Sequence, residues 1–120
     1  MTAPKKIIPV GACAGAGETG TPARVVAGAP VTTTWNDYSD PAGRFHTGVW
    51  ACTPGKWEVA YAEEEVCTFL EGRARLTNEA GESWEFGPGD SFAIPAGFTG
   101  FWETLEPLRK VYVIYEPPAA

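Results

Sequence analysis

Few groups in this chain have chemistry to offer, and they begin with a single histidine. His46 is the one side chain whose ordinary pKa lies near neutrality; facing a cavity it would act as a base or ligand, and otherwise it reads as a surface or hydrogen-bonded structural residue. Arg44 stands two residues earlier on the same strand face, where its guanidinium fork would grip a carboxylate or remain a solvated edge charge. Along a strand, side chains alternate between faces, so Lys110, Tyr112 and Ile114 share one face while Arg109, Val111, Val113 and Tyr115 share the other. The same period groups Trp57, Val59 and Tyr61. Cys13, Cys52 and Cys67 are odd in number and lack CxxC spacing. They indicate neither a disulfide framework nor a cysteine zinc site, and fit a reducing cytoplasm.

These groups must be positioned by strands. With 14 glycines and 11 prolines in 120 residues, the chain is interrupted too often for long helices. Hydrophobic residues at 44% and charged residues at 20% describe a folding globular chain of single-domain size. A net charge of −6 offers no cationic surface for a phosphate backbone, so nucleic acid is excluded as a partner. No apolar run is long enough to span a membrane as a helix, and the apolar stretch after Lys5 and Lys6 is too short for a signal segment.

Residues 1–30 form an N-terminal arm, because from Gly11 to Pro30 the sequence is mostly Ala, Gly, Thr and Pro, with little area to bury. Whether the arm is mobile or packs on a neighbouring subunit stays open. Residues 31–120 form the folded unit. Strands are expected at Thr32–Trp35, Arg44–Ala51 and Trp57–Tyr61, with a loop over Asn36–Gly43. Glu65–Leu70 and Arg73–Thr77 flank a bend or bulge at Glu71–Gly72, and Asn78–Gly81 is a hairpin turn before Ser83–Phe86. After the turn at Gly87–Asp90 come Phe92–Ile94, Phe98–Glu103 and Arg109–Tyr115, the last two separated by a loop at Pro107. Eight or nine short strands at this spacing give an all-β sandwich or jelly-roll barrel.

The stretch YAEEEVCTFLEG ending at Gly72, followed by GPGDSFAIPAGFTGFW from Gly87 to Trp102, resembles the paired motifs of the cupin superfamily. With the ending LEPLRKVYVIY at Leu105–Tyr115, it is similar more narrowly to small single-domain cupins related to the cupin domain of ureidoglycine aminohydrolase. The resemblance implies a double-stranded β-helix with a binding or active site inside the barrel, and commonly a homodimer. It also implies that Glu65, separated from Gly72 by six residues, points into that barrel. The histidines that should accompany it are missing. Glu58 and Ala60, or Val59 and Tyr61, occupy the first pair of positions, and Gly100 the position in the second motif. One carboxylate is too few for a metal site, so no metal or other cofactor is expected.

A buried carboxylate must find a partner or a proton. We expect Lys110 to point inward and pair with Glu65, in the space a metal occupies in other cupins; the alternative is an exterior Lys110 and a Glu65 bonded to backbone. If Gly100 faces the cavity, Phe98 and Trp102 do too, and with Trp57 and Tyr61 they make aromatic walls that serve as core, ligand platform or both. Cys67 shares the face of Glu65 and reads as a buried thiol.

Two functions fit. In one, the cavity takes a small polar metabolite such as a sugar, an organic acid or a ureide-like compound. Glu65, Lys110 and Arg44 or Tyr112 hold it and carry out metal-free acid–base chemistry. In the other, the domain is a non-catalytic structural or sensor module whose barrel is filled by its own side chains.

Overall fold

The computed structural model describes residues 3–118, and among them there is no helix. Nine strands follow one another: β1 (Glu18–Gly20), β2 (Val25–Gly28), β3 (Thr32–Ser39), β4 (Phe45–Cys52), β5 (Gly55–Ala60), β6 (Glu64–Asn78), β7 (Ser83–Phe86), β8 (Ser91–Ile94) and β9 (Thr99–Tyr115). All pairings are antiparallel, and the sheet curls into a jelly-roll half-barrel.

The long strands β6 and β9 organise this curl. They pair with each other from Glu64↔Tyr115 to Asn78↔Gly100. The first half of β9 pairs on its other side with β5, and the second half with β4. β7 and β8 line the far side of β6, β3 lies beyond β4, and two strands of the N-terminal segment extend the sheet, β1 on β3 and β2 on β5.

The bend anticipated at Glu71–Gly72 is present as shifts of register between Phe69 and Ala74 inside a continuous strand. Gly72 adopts φ +86°, and a Cβ there would strike the carbonyl oxygen of Pro107 on β9.

Two expected loops are strand instead. Asn36–Ser39 continues β3 through an irregularity between Asn36 and Tyr38, because β4 offers it ladder partners as far as Ser39↔His46. Its polar composition reflects a strand at the rim of a cavity, which composition alone reads as a loop. β9 likewise runs through Pro107 without a break. Proline lacks an N–H, but the β5 ladder ends at Thr104, the β4 ladder begins at Leu108, and β6 skips from Glu106 to Arg109. Pro107 therefore removes no ladder bond.

Inward residues of β4, β5, β6, β8 and β9 make one core in which Cys52, Trp57, Cys67, Phe69, Leu76, Ile94, Trp102 and Leu108 are buried. Aromatic rings form its centre. Trp102 meets Trp50 edge-on at 5.5 Å, and Phe69 meets Phe92 at 5.4 Å between centroids.

Candidate functional site

Strand alternation delivers one charged residue from β9 and one from β6 to the same interior point. Lys110 is 4% exposed and Glu65 6%, and the Lys110 Nζ lies 2.7 Å from Glu65 Oε2. The pairing expected from the sequence is thus in place. Cys67, two residues along β6, donates its thiol to Glu65 Oε2 at 3.3 Å and accepts from Lys110 Nζ at 3.2 Å. The ammonium also sits 4.7 Å from the ring centre of Trp50 and 4.5 Å from that of Trp102. Both are cation–π distances.

Burial pulls the Lys110 pKa down, but the Glu65 carboxylate, helped by Cys67 and Tyr61, outweighs burial and holds it above the ordinary lysine value. The side chain is a fixed ammonium, not a base. Burial pushes the Cys67 thiol up to about 12, so it remains protonated at neutral pH and is a poor nucleophile. Burial also raises Tyr61, and burial with the Asp37 carboxylate carries Tyr112 up to about 12.

This pair lies at one side of a cavity of about 360 Å³. Its walls are Trp50, Trp57, Tyr61, Trp102, Tyr112 and Ile114, and its remaining polar groups are Thr34, Asn36 and His46. An ammonium carries three N–H donors, of which Glu65 and Cys67 take two. Glu65 Oε1 receives no hydrogen bond among the described residues. One donor and one acceptor are thus left for a guest.

Of the residues singled out from sequence, Trp57, Tyr61, Glu65, Trp102, Lys110, Tyr112 and His46 line the cavity, and Cys67 lies directly behind the ion pair. Arg44 does not reach it. It belongs to the β3–β4 turn, where its N–H donates to Asp40 Oδ1 and its carbonyl accepts from the Glu116 N–H. Phe98 departs as well: it precedes β9, packs edge-on against Tyr61 at 6.2 Å and lines a separate apolar pocket with Phe86 and Phe92.

Sequence reasoning missed Trp50 and Asn36. Trp50 was legible, since it shares the β4 face of His46 at a spacing of four; Asn36 was hidden inside the supposed loop.

The histidine positions can now be read in space. Val59, packed on the core, and Tyr61, on the cavity wall, are the inward pair, whereas Glu58 and Ala60 are exposed. Gly100 is pressed on β6: a Cβ there would strike Thr77 O. Among the described residues no cluster of three or more His, Cys, Asp or Glu side chains is placed to hold a metal ion. The donor set does not fit the metal of other cupins, because the motif's one carboxylate faces an ammonium.

The fold and this motif geometry agree with comparisons to known proteins. The EutQ-like cupin domain matches residues 39–112, more than half of the chain. A protein of unknown function of the DUF861 family from Pseudomonas syringae pv. tomato str. DC3000 superposes with a TM-score of 0.72 at 26% identity, over 81% of this chain and 42% of that one. The EutQ protein of Clostridium difficile gives 0.65 at 17% identity, over 72% of this chain and 64% of that one. A DUF861 family protein from Thermotoga maritima is 33% identical over 53% of this chain and 73% of that one, with a TM-score of 0.52. The chain thus spans less than two thirds of the first two structures it matches. No curated protein matches it. A curled antiparallel sheet, an interior glutamate from the first motif and a sequence match over most of the strands lead to one conclusion: the chain belongs to the EutQ-like cupin domain family.

Proposed function

We propose that the domain binds a small polar metabolite in the aromatic cavity, with Lys110 as donor and Glu65 as acceptor. The observation that carries this reading is the buried ion pair, which keeps an N–H and a carboxylate oxygen unused beside an open volume of about 360 Å³. That volume suits a sugar, an organic acid or a ureide-like compound with its polar edge on the pair and its flat face on an indole. The similarity of the Leu105–Tyr115 ending to ureidoglycine aminohydrolase adds ureides to the candidates. Lys110 is a fixed positive charge, so its part in any reaction is to stabilise developing negative charge, with no metal required.

The test is a thermal unfolding panel of sugars, carboxylic acids and ureides, followed by calorimetry on any that act. A true ligand at a hundred times its Kd stabilises by about 2.7 kcal/mol and raises Tm by roughly 10 °C. Lys110→Met should abolish that response. If no member moves Tm by even one degree, the rival reading applies, in which Lys110 and the indoles fill the barrel as a structural plug.

A further inference from the structure

A second constellation lies at the rim of the same cavity, carried by the end of β3, the start of β4 and the segment after β9. Ser39 Oγ is 2.7 Å from His46 Nδ1, and His46 Nε2 is 2.6 Å from Glu116 Oε2. The tautomer follows from the partners. Nε2 faces the Glu116 carboxylate and, at 3.1 Å, the carbonyl of Gly43; both can only accept, so Nε2 carries the hydrogen. Nδ1 is then the lone-pair nitrogen, and the Ser39 hydroxyl donates to it.

A fourth residue completes the set. Asn36 Nδ2 lies 3.0 Å from Ser39 Oγ, and its orientation is fixed because Asn36 Oδ1 accepts from the Tyr112 hydroxyl at 2.7 Å. One amide hydrogen meets Ser39, and the second has no partner among the described residues. Side-chain amides beside a nucleophile stabilise the oxyanion of acyl transfer.

We propose that Ser39, His46, Glu116 and Asn36 form a hydrolytic site for small esters. Nucleophile, base and orienting carboxylate are recognised by such mutual distances and not by chain order. The placement suggests the substrate class. Asn36 and His46 line the aromatic cavity beside the ion pair, while Ser39 borders a groove of about 770 Å³ walled by Ile7, Ile8, Val10 and Tyr38 together with Lys5 and Lys6. A short apolar acyl chain fits the groove, with its polar alcohol portion directed into the cavity.

Ser39 Oγ bonds to the acyl carbon as its proton passes to His46 Nδ1, and the carbonyl electrons collect on the oxygen facing Asn36 Nδ2. Collapse breaks the bond to the alcohol oxygen, which leaves with the proton from Nδ1. Water then adds to the acyl-serine, giving its proton to Nδ1; release of the acid returns that proton to Ser39. The balance is ester plus water to acid plus alcohol. Ser39 and His46 are the catalytic residues, and Glu116 is a positioning residue acting through His46.

The intact chain should hydrolyse p-nitrophenyl acetate and butyrate, and a fluorophosphonate probe should add to one peptide containing Ser39. Ser39→Ala, an exposed site whose Tm is measured in parallel, should lower kcat/KM by about 100-fold or more and abolish the adduct. Glu116→Ala should lower kcat with KM unchanged, and Glu116→Asp should recover part of it. A rate that survives Ser39→Ala, an adduct elsewhere, or a loss of Tm without loss of turnover would overturn the proposal. The two readings fail separately: a thermal response to sugars, acids or ureides without Ser39-dependent turnover overturns only the ester site, and turnover without such a response overturns only the metabolite site.

Discussion

Replacing Lys110 by methionine probes the centre of the domain. Methionine keeps most of the side chain's length and apolar contacts and removes only the charge. The Glu65 carboxylate then stands 6% exposed with the Cys67 thiol as its single remaining donor. Breaking one partner of a buried ion pair costs about 3–5 kcal/mol, chiefly through the charge left behind. For a domain whose whole stability is about 5–15 kcal/mol that is a large share. With a urea m-value of about 1.5 kcal/mol/M, a loss of about 4 kcal/mol moves the midpoint down by roughly 2.7 M. The decisive comparison adds Glu65→Gln. The double variant Glu65→Gln/Lys110→Met buries no net charge and should return to within about 1–2 kcal/mol of the parent. Urea unfolding followed by circular dichroism measures all four proteins. If Lys110→Met falls within about 1 kcal/mol of the parent, or the double variant is no more stable than Lys110→Met, the pair is not the energetic keystone argued above.

Three more outcomes follow from the geometry. Lys110, Tyr61 and Cys67 all have folded pKa values above their unfolded ones, so the native state retains protons that the unfolded chain releases. The stability they contribute is complete below about pH 9 and is lost as pH rises through the range in which the unfolded groups titrate, so Tm should fall steadily from about pH 9 to pH 11; a flat profile would contradict the burial of this cluster. Ellman's reagent at pH 8 should find Cys13 promptly and Cys52 and Cys67 only after denaturation, since the latter two are buried; native reaction of all three would show an open barrel. Restoring the missing motif histidine by Gly100→His should yield no nickel or zinc binding by calorimetry and should destabilise the chain by at least about 3 kcal/mol, because the new Cβ meets Thr77 O; a stable variant with micromolar metal affinity would refute this.

The strands of the barrel were readable wherever alternation was clean. The period of two grouped Trp57 with Val59 in β5, and Lys110 with Tyr112 and Ile114 in β9, while the choice of the inward face of β9 rested on Glu65. The approach of Glu65 to Lys110 was readable because a carboxylate held inside requires a cation and the chain offers few. What stayed hidden has physical causes. Pro107 reads as a breaker because the sequence does not reveal that both neighbouring ladders are interrupted beside it. Asn36, Asp37 and Ser39 read as a turn because polarity is the shared signature of loops and of strands edging a wet cavity. The Ser39–His46–Glu116 arrangement joins residues seven and seventy positions apart, and nothing in local composition signals such a meeting.

The central place of β9 has a consequence for how the domain is made. Its residues are hydrogen-bonded to β4, β5 and β6, so these three strands cannot be zipped together until β9 has been made. Until then β1 with β3 and β4, β2 with β5, and β6 with β7 and β8 can pair among themselves, but nothing joins these groups into one sheet. Such distant pairing also sets a slow rate, on the order of milliseconds to seconds. Even a short C-terminal deletion into β9 should then yield insoluble protein, whereas trimming residues before β1 should leave a domain that still assembles.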